Sequence, residues 1–159
     1  MRITKRTNIA MRVLMFCAVH PRRLVTKSEI AARCNTSESH LAQVINRLAQ
    51  LGYLRTQRGR SGGITLGRSA GDIVIGEVFR DLEENGASEE CFADMDGSCP
   101  LIGACRLRLA LADAAEAFFA HLDRITLEVL ICGNHALFEI FAPSRCQSSD
   151  ALQVIENCA

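Results

Sequence analysis

The sequence predicts a mainly α fold with a small β wing: a winged helix-turn-helix followed by a long dimerisation helix. Three observations point there. Apolar residues recur at helical spacing through residues 7–51, a Gly/Arg-rich hairpin follows, and a long, largely apolar helical stretch opens at Pro100. Charge divides the chain along the same line. Residues 1–70 carry 13 Lys and Arg against two acids, Glu29 and Glu38, whereas residues 71–159 carry five Arg against 16 acids. A solvated surface ordinarily mixes its signs, so the segregation argues for a front half that binds a polyanion and a back half with another task.

The first helix is expected over residues 7–19, where Ile9, Val13, Leu14, Phe16 and Cys17 keep helical spacing up to His20-Pro21. A second opens at Thr26 or Lys27-Ser28 and breaks near Cys34-Asn35. Ser37 is a plausible N-cap for a third. Leu41, Val44, Ile45, Leu48 and Leu51 then form an apolar stripe that stops at Gly52. The opposite face offers Ser39, His40, Gln43, Asn46 and Arg47, the hydrogen-bonding inventory needed to read base edges and brace against phosphates. Residues 53–56 and 63–66 read as two short strands around Arg58-Gly59-Arg60-Ser61-Gly62-Gly63. Glycine permits close approach to a sugar-phosphate backbone, and a narrow minor groove attracts Arg, so this hairpin reads as a wing.

With 48% apolar and 23% charged residues the chain has enough material for a core. The apolar stretch at 107–120 is interrupted by Arg108, Asp113 and Glu116, which argues against a membrane span, and the N-terminus lacks the order of a signal peptide. A cytoplasmic location is expected, where thiols stay reduced. The eight cysteines then read as ligands, redox sites or small buried residues rather than a disulfide framework.

Cys91, Cys99 and Cys105 fall within fifteen residues at spacings of seven and five, in an Asp/Gly/Ser-containing loop before the long helix. Structural zinc usually takes tight Cys-x2–4-Cys pairs, which are missing here. Soft thiolates at irregular spacing, with Pro100 after one of them, suit an iron–sulfur cluster; zinc or a thiol redox switch are the alternatives. Cys17 and Cys34 read as buried small residues, Cys132 as packed, and Cys146 and Cys158 as residues of a tail.

From Pro100 the helical pattern continues to about residue 124, a rod of roughly 37 Å. Arg106, Asp113, Glu116, Asp123 and Arg124 share one face, and Leu107, Leu109, Leu111, Phe118, Phe119 and Leu122 cover much of the rest. So wide an apolar surface asks for the same helix from a second copy. No His or acid sits where it would activate a nucleophilic Cys, and no phosphate-binding or hydrolase motif occurs, so an enzyme is not expected.

Over about residues 1–132 the chain resembles the winged-helix iron–sulfur repressors that include IscR, NsrR and RirA. The resemblance rests on the opening Met1-Arg2-Ile3-Thr4-Lys5-x-Thr7-Asn8-x-Ala10-x-Arg12, on the wing, and on the three cysteines with Cys99-Pro100-Leu101 and Ala104-Cys105. It implies a homodimer with crossing long helices, each cluster loop lying next to the partner's DNA-binding domain. By position it makes Ser39 and Gln43 base-reading residues, places Arg58 and Arg60 in the wing, and brings Arg12 near the partner's cluster. Arg108 stands where the cluster-assembly branch has a His ligand. The third helix looks most like nitric-oxide-sensing members, which often carry an Asp ligand where this chain has Asn8. Asn8 and the cysteine spacing look closer to rhizobial iron-responsive members.

The resulting expectation is a DNA-binding transcriptional repressor that senses nitric oxide through an iron–sulfur cluster, 4Fe–4S in preference to 2Fe–2S. An iron-responsive regulator of the same family and a metal-free thiol switch are the alternatives. Its partners would be a double-stranded operator and a second copy of the chain. Residues 1–70 would form the DNA-binding domain, with His40 and Arg47 beside Ser39 and Gln43 at the groove. Residues 71–132 would hold the cluster loop and dimerisation helices, and residues 133–159 a mobile tail.

Overall fold

The computed structural model describes residues 3–59, 61–83 and 104–141. Helix α1, Lys5–Val19, starts two residues before its expected position because Thr4 takes the N-cap, its Oγ1 accepting from the Thr7 N–H at 3.3 Å. At the other end the His20 ring bonds the Phe16 carbonyl through Nδ1 at 2.8 Å, and Pro21 cannot continue the helix. Helix α2, Lys27–Cys34, opens with a full capping box between Thr26 and Glu29 and closes on Asn35 in the left-handed region, φ 48°. Helix α3, Glu38–Gln50, buries Leu41, Val44, Ile45 and Leu48, the core of the expected stripe. Gly52, at φ 78°, turns the chain from α3 into the wing.

Strands β1, Leu54–Gln57, and β2, Gly63–Leu66, pair antiparallel with Leu54 opposite Leu66 and Gln57 opposite Gly63. Val25 and Ile64 exchange backbone hydrogen bonds of 2.9 and 2.8 Å, so the wing is rooted on the segment that enters α2. A short 3-10 turn at Ala70–Asp72 leads to α4, Ile75–Glu83. Buried Ala10, Val13, Leu14, Ile30, Leu41, Leu48 and Ile73 belong to one core shared by α1, α2, α3 and the segment before α4.

The long helix departs from expectation. Helix α5 is Arg106–Leu122, and it begins at Arg106 rather than Pro100 because Cys105 is extended (φ −78°, ψ 96°) and serves as its N-cap. Its 17 residues span about 25 Å. None of them is buried, and Leu107 and Leu109 are each 66% exposed. Among the described residues its C-terminal half packs on α4: Phe118 meets Phe79 edge-on at 6.1 Å, and the Arg80 guanidinium lies over Phe119.

The chain then returns to the front half. Ile75 N–H donates to the Ile125 carbonyl and Leu127 N–H to that of Ile73, joining the two segments. Helix α6, Leu127–Ile131, and helix α7, His135–Phe141, follow. Buried Leu127, Ile131, Phe138 and Phe141 join the same core, with Phe141 edge-on to Phe16 at 5.1 Å. Thus seven residues of the stretch expected as a tail are helical and anchored, and the remainder lies outside the described residues. Among the described residues no helix is long and apolar enough to cross a membrane.

Candidate nucleic-acid interface and cysteine segment

Burying Leu41, Val44, Ile45 and Leu48 forces the other side of α3 outward, and there Ser39, His40, Gln43 and Asn46 are exposed. Glu38, on the first turn, accepts from Ser28 at 2.8 Å and pairs with Lys27 at 3.2 Å. The Ser28 and Lys27 contacts hold its carboxyl below the usual range and cross-brace the starts of α2 and α3. Beside α3, Arg58 is exposed on the wing, while Arg60 lies outside the described residues. The tip closes because Gly59 adopts φ 113° and because Gly62 packs over the Gln57 carbonyl, where a Cβ would collide. Between α3 and the wing runs a cleft of about 340 Å³ lined by Thr26, Lys27, Asn46, Thr56 and Gln57. Its polar lining draws on three separate elements. Lys27 reads in the sequence only as a helix start, because its place beside the wing depends on the Val25–Ile64 pairing.

Arg47 stands apart from the other residues expected at the groove. It is half-buried at the edge of the exposed face, and Nη2 donates to the Asp81 backbone carbonyl at 3.1 Å. The structure therefore ties Arg47 to α4, which packs beside α3, instead of presenting it with Ser39 and Gln43.

Asn8 and Arg12 lie one turn apart on α1 and are both exposed. The cap of α1 is Thr4, so Asn8 has no capping duty; its N–H makes the ordinary helical bond to the Thr4 carbonyl. Arg12 Nη1 donates to the Cys34 carbonyl at 3.0 Å, linking α1 to the end of α2.

Cys17 and Cys34 are free and buried, as expected. Burial first, and then neighbouring Cys34, pushes the Cys17 thiol up to about 12. Burial also raises the Cys34 thiol against the opposing pull of Arg12. Cys132, expected as a packed thiol, is instead disulfide-bonded; it sits half-buried at the C-cap of α6. Of the three clustered cysteines, Cys105 is free and partly exposed, and its Sγ accepts from the Arg108 N–H at 3.4 Å. Cys91 and Cys99 lie outside the described residues, as do Cys146 and Cys158. Among the described residues no three His, Cys, Asp or Glu side chains converge as a metal site.

The profile of the Rrf2 family, described as iron-dependent transcriptional regulators, matches residues 3–133, which includes both α3 with its wing and the cysteine segment. The chain belongs to the Rrf2 family. It is a DNA-binding transcriptional regulator and not an enzyme. This Rrf2 chain is 44% identical over 132 residues to the HTH-type transcriptional regulator NsrR of Geobacillus kaustophilus (strain HTA426), covering 82% of this chain and 90% of that relative. It is 42% identical over 134 residues to the HTH-type transcriptional repressor NsrR of Streptomyces coelicolor (strain ATCC BAA-471 / A3(2) / M145), covering 82% and 88%. Among solved structures, T. potens IscR shares the fold at a TM-score of 0.66 and 23% identity, over 82% of this chain and 86% of that one.

Proposed function

We propose that this Rrf2 regulator is a homodimeric repressor that senses nitric oxide through a 4Fe–4S cluster held by Cys91, Cys99 and Cys105. The observation that carries the reading is its likeness to two NsrR regulators across 82% of its length. The chemistry of Cys105 fits: its sulfur is partly exposed at the N-terminus of a 17-residue helix and already accepts a backbone N–H. The thiolate is the form of cysteine that binds iron. When bound, such a cluster would supply an iron lacking a cysteine ligand, at which nitric oxide would react.

The chain's own residues do the rest. Ser39, His40 and Gln43 read base edges in the major groove, while Arg58 and Arg60 brace the wing on the backbone. Leu107 and Leu109, exposed on α5, are covered by the same helix of a second copy. Such a dimer reads neighbouring half-sites only when its two α3 helices stand about 34 Å apart, or a multiple of that. The test is anaerobic purification followed by a visible spectrum and a nitric oxide titration with operator binding measured in parallel. A chromophore whose loss tracks operator release supports the reading. A colourless protein with normal operator binding overturns it in favour of a thiol switch.

Asn8 favours a second reading, an iron-responsive regulator. It is exposed one turn from Arg12 and free of capping duty, so it is available to a partner's cluster, but an amide binds iron poorly beside a carboxylate. On this reading a loosely held cluster senses iron depletion. Asn8→Asp should then slow cluster loss to a chelator and blunt operator release at low iron. Equal loss rates for both proteins would remove Asn8 from the site.

A further inference from the structure

The last turn of α4 is gripped from three directions. Arg47 of α3 donates to the Asp81 carbonyl at 3.1 Å. The hydroxyl of Tyr53, the buried residue that enters β1, donates to Asp81 Oδ2 at 2.6 Å. Two residues further on, Glu83 Oε1 accepts from both the N–H and the Oγ1 of Thr4, each at 2.9 Å, at the start of α1. Glu83 Oε2 is buried with no partner among the described residues. On its far side Tyr53 is held by Arg68, whose guanidinium lies 4.7 Å from the ring centre and bonds the Leu51 carbonyl at 3.0 Å. One short turn thus holds the reading helix, the root of the wing and the start of α1, and Glu83 is the last described residue before the segment bearing Cys91 and Cys99.

We propose that Asp81 is a positioning residue for operator recognition: through Arg47 and Tyr53 it sets the spacing of α3 and the wing. The proposal rests on the reading of this chain as an operator-binding regulator whose sensing segment follows α4. Its physical basis is preorganisation. Base-reading contacts need α3 and the wing at a fixed separation, so a loose junction must be ordered at the moment of binding. Phosphate contacts tolerate such looseness, so the loss falls on the operator and spares random DNA. Burial first, with the Asp81 hydrogen bond, raises the Tyr53 hydroxyl above its ordinary value, in keeping with a phenol that stays protonated and donates.

Tyr53 is the chain's single tyrosine, so 3-fluorotyrosine gives one 19F resonance that reports the surroundings of this ring. The full-length protein is measured as purified anaerobically, with and without an operator duplex, beside Asp81→Asn and Tyr53→Phe. Operator should shift the wild-type resonance and leave that of Asp81→Asn in place. Both variants should bind operator about fivefold to tenfold more weakly, the share of one net hydrogen bond, with random-DNA affinity within about twofold. Tyr53→Phe keeps the buried ring, so it carries the affinity arm if Asp81→Asn fails to fold. A resonance unmoved by operator, or operator affinity unchanged in Tyr53→Phe, overturns the proposal. A colourless wild type that still binds operator would sink the cluster reading and leave this test intact, because neither signal comes from a cluster.

Discussion

Arg80 of α4 clasps Asp123, just beyond α5, with two parallel hydrogen bonds: Nη1 to Oδ1 at 2.8 Å and Nη2 to Oδ2 at 2.7 Å. The same guanidinium stacks 4.6 Å from the Phe119 ring centre, and the Asp123 carboxylate closes over Gly76. This is where the end of α5 joins α4 within one chain. Both side chains are about two-fifths exposed, so the pair directs the helix more than it stabilises the fold.

The clasp has a pH signature. The Arg80 hydrogen bond, opposed by burial, holds the Asp123 carboxyl below its ordinary value. A depressed acid contributes stability above its unfolded value and loses it as pH falls through the folded one. Asp123→Asn should therefore melt below wild type at neutral pH, and the gap should close as pH drops past about 3.9. Melting curves across that range check it; a gap that ignores pH would mean the charge contributes nothing.

Buried thiols behave oppositely. Cys17 and Cys34 should resist alkylation in the native protein and label only on unfolding, because burial keeps both protonated. For Cys17 the folded value is raised to about 12, so the unfolded chain ionises first and stability should fall as pH climbs from about 9 towards 12. Mass spectrometry of alkylated native protein decides the first point: modification of Cys17 ahead of Cys105 would contradict the burial.

At the interface, Gln43→Ala should cost about 1–3 kcal/mol on the cognate operator and little on random DNA. Arg58→Ala should weaken every duplex and flatten the salt dependence. Arg47→Ala should lower the melting temperature and operator affinity while leaving the salt slope as in wild type, since Arg47 faces Asp81. Binding isotherms at several salt concentrations separate the three, and a flattened slope for Arg47→Ala would place it on a phosphate.

Single replacements of Cys91, Cys99 and Cys105 by Ala should each abolish the visible chromophore, whereas Cys146→Ala and Cys158→Ala should retain it. Spectra of anaerobically purified variants provide the check. Colour surviving all three changes would mean that these cysteines hold no cluster.

Much of the front half was legible because its signals act between near neighbours. The α3 stripe, the opening of α2 near Thr26, the stop at Gly52 and the Gly59–Gly62 tip each depend on residues within one or two turns. Charge segregation and cysteine spacing likewise need no coordinates. Tertiary structure alone decided matters that depend on distant partners. Arg47 looked like a groove residue until Asp81, 34 positions away, was seen to take its guanidinium. Helical periodicity carried the long helix back to Pro100, but extended backbone at Cys105 started it at Arg106. Phe138 and Phe141 looked like tail residues because their cavity beside Phe16 is made by chain more than a hundred residues earlier. Glu83 gave no signal, because its partner Thr4 lies 79 positions away. Local pattern specifies which face of an element is apolar; only the packed elements decide which polar side chains at its edge meet solvent and which meet one another.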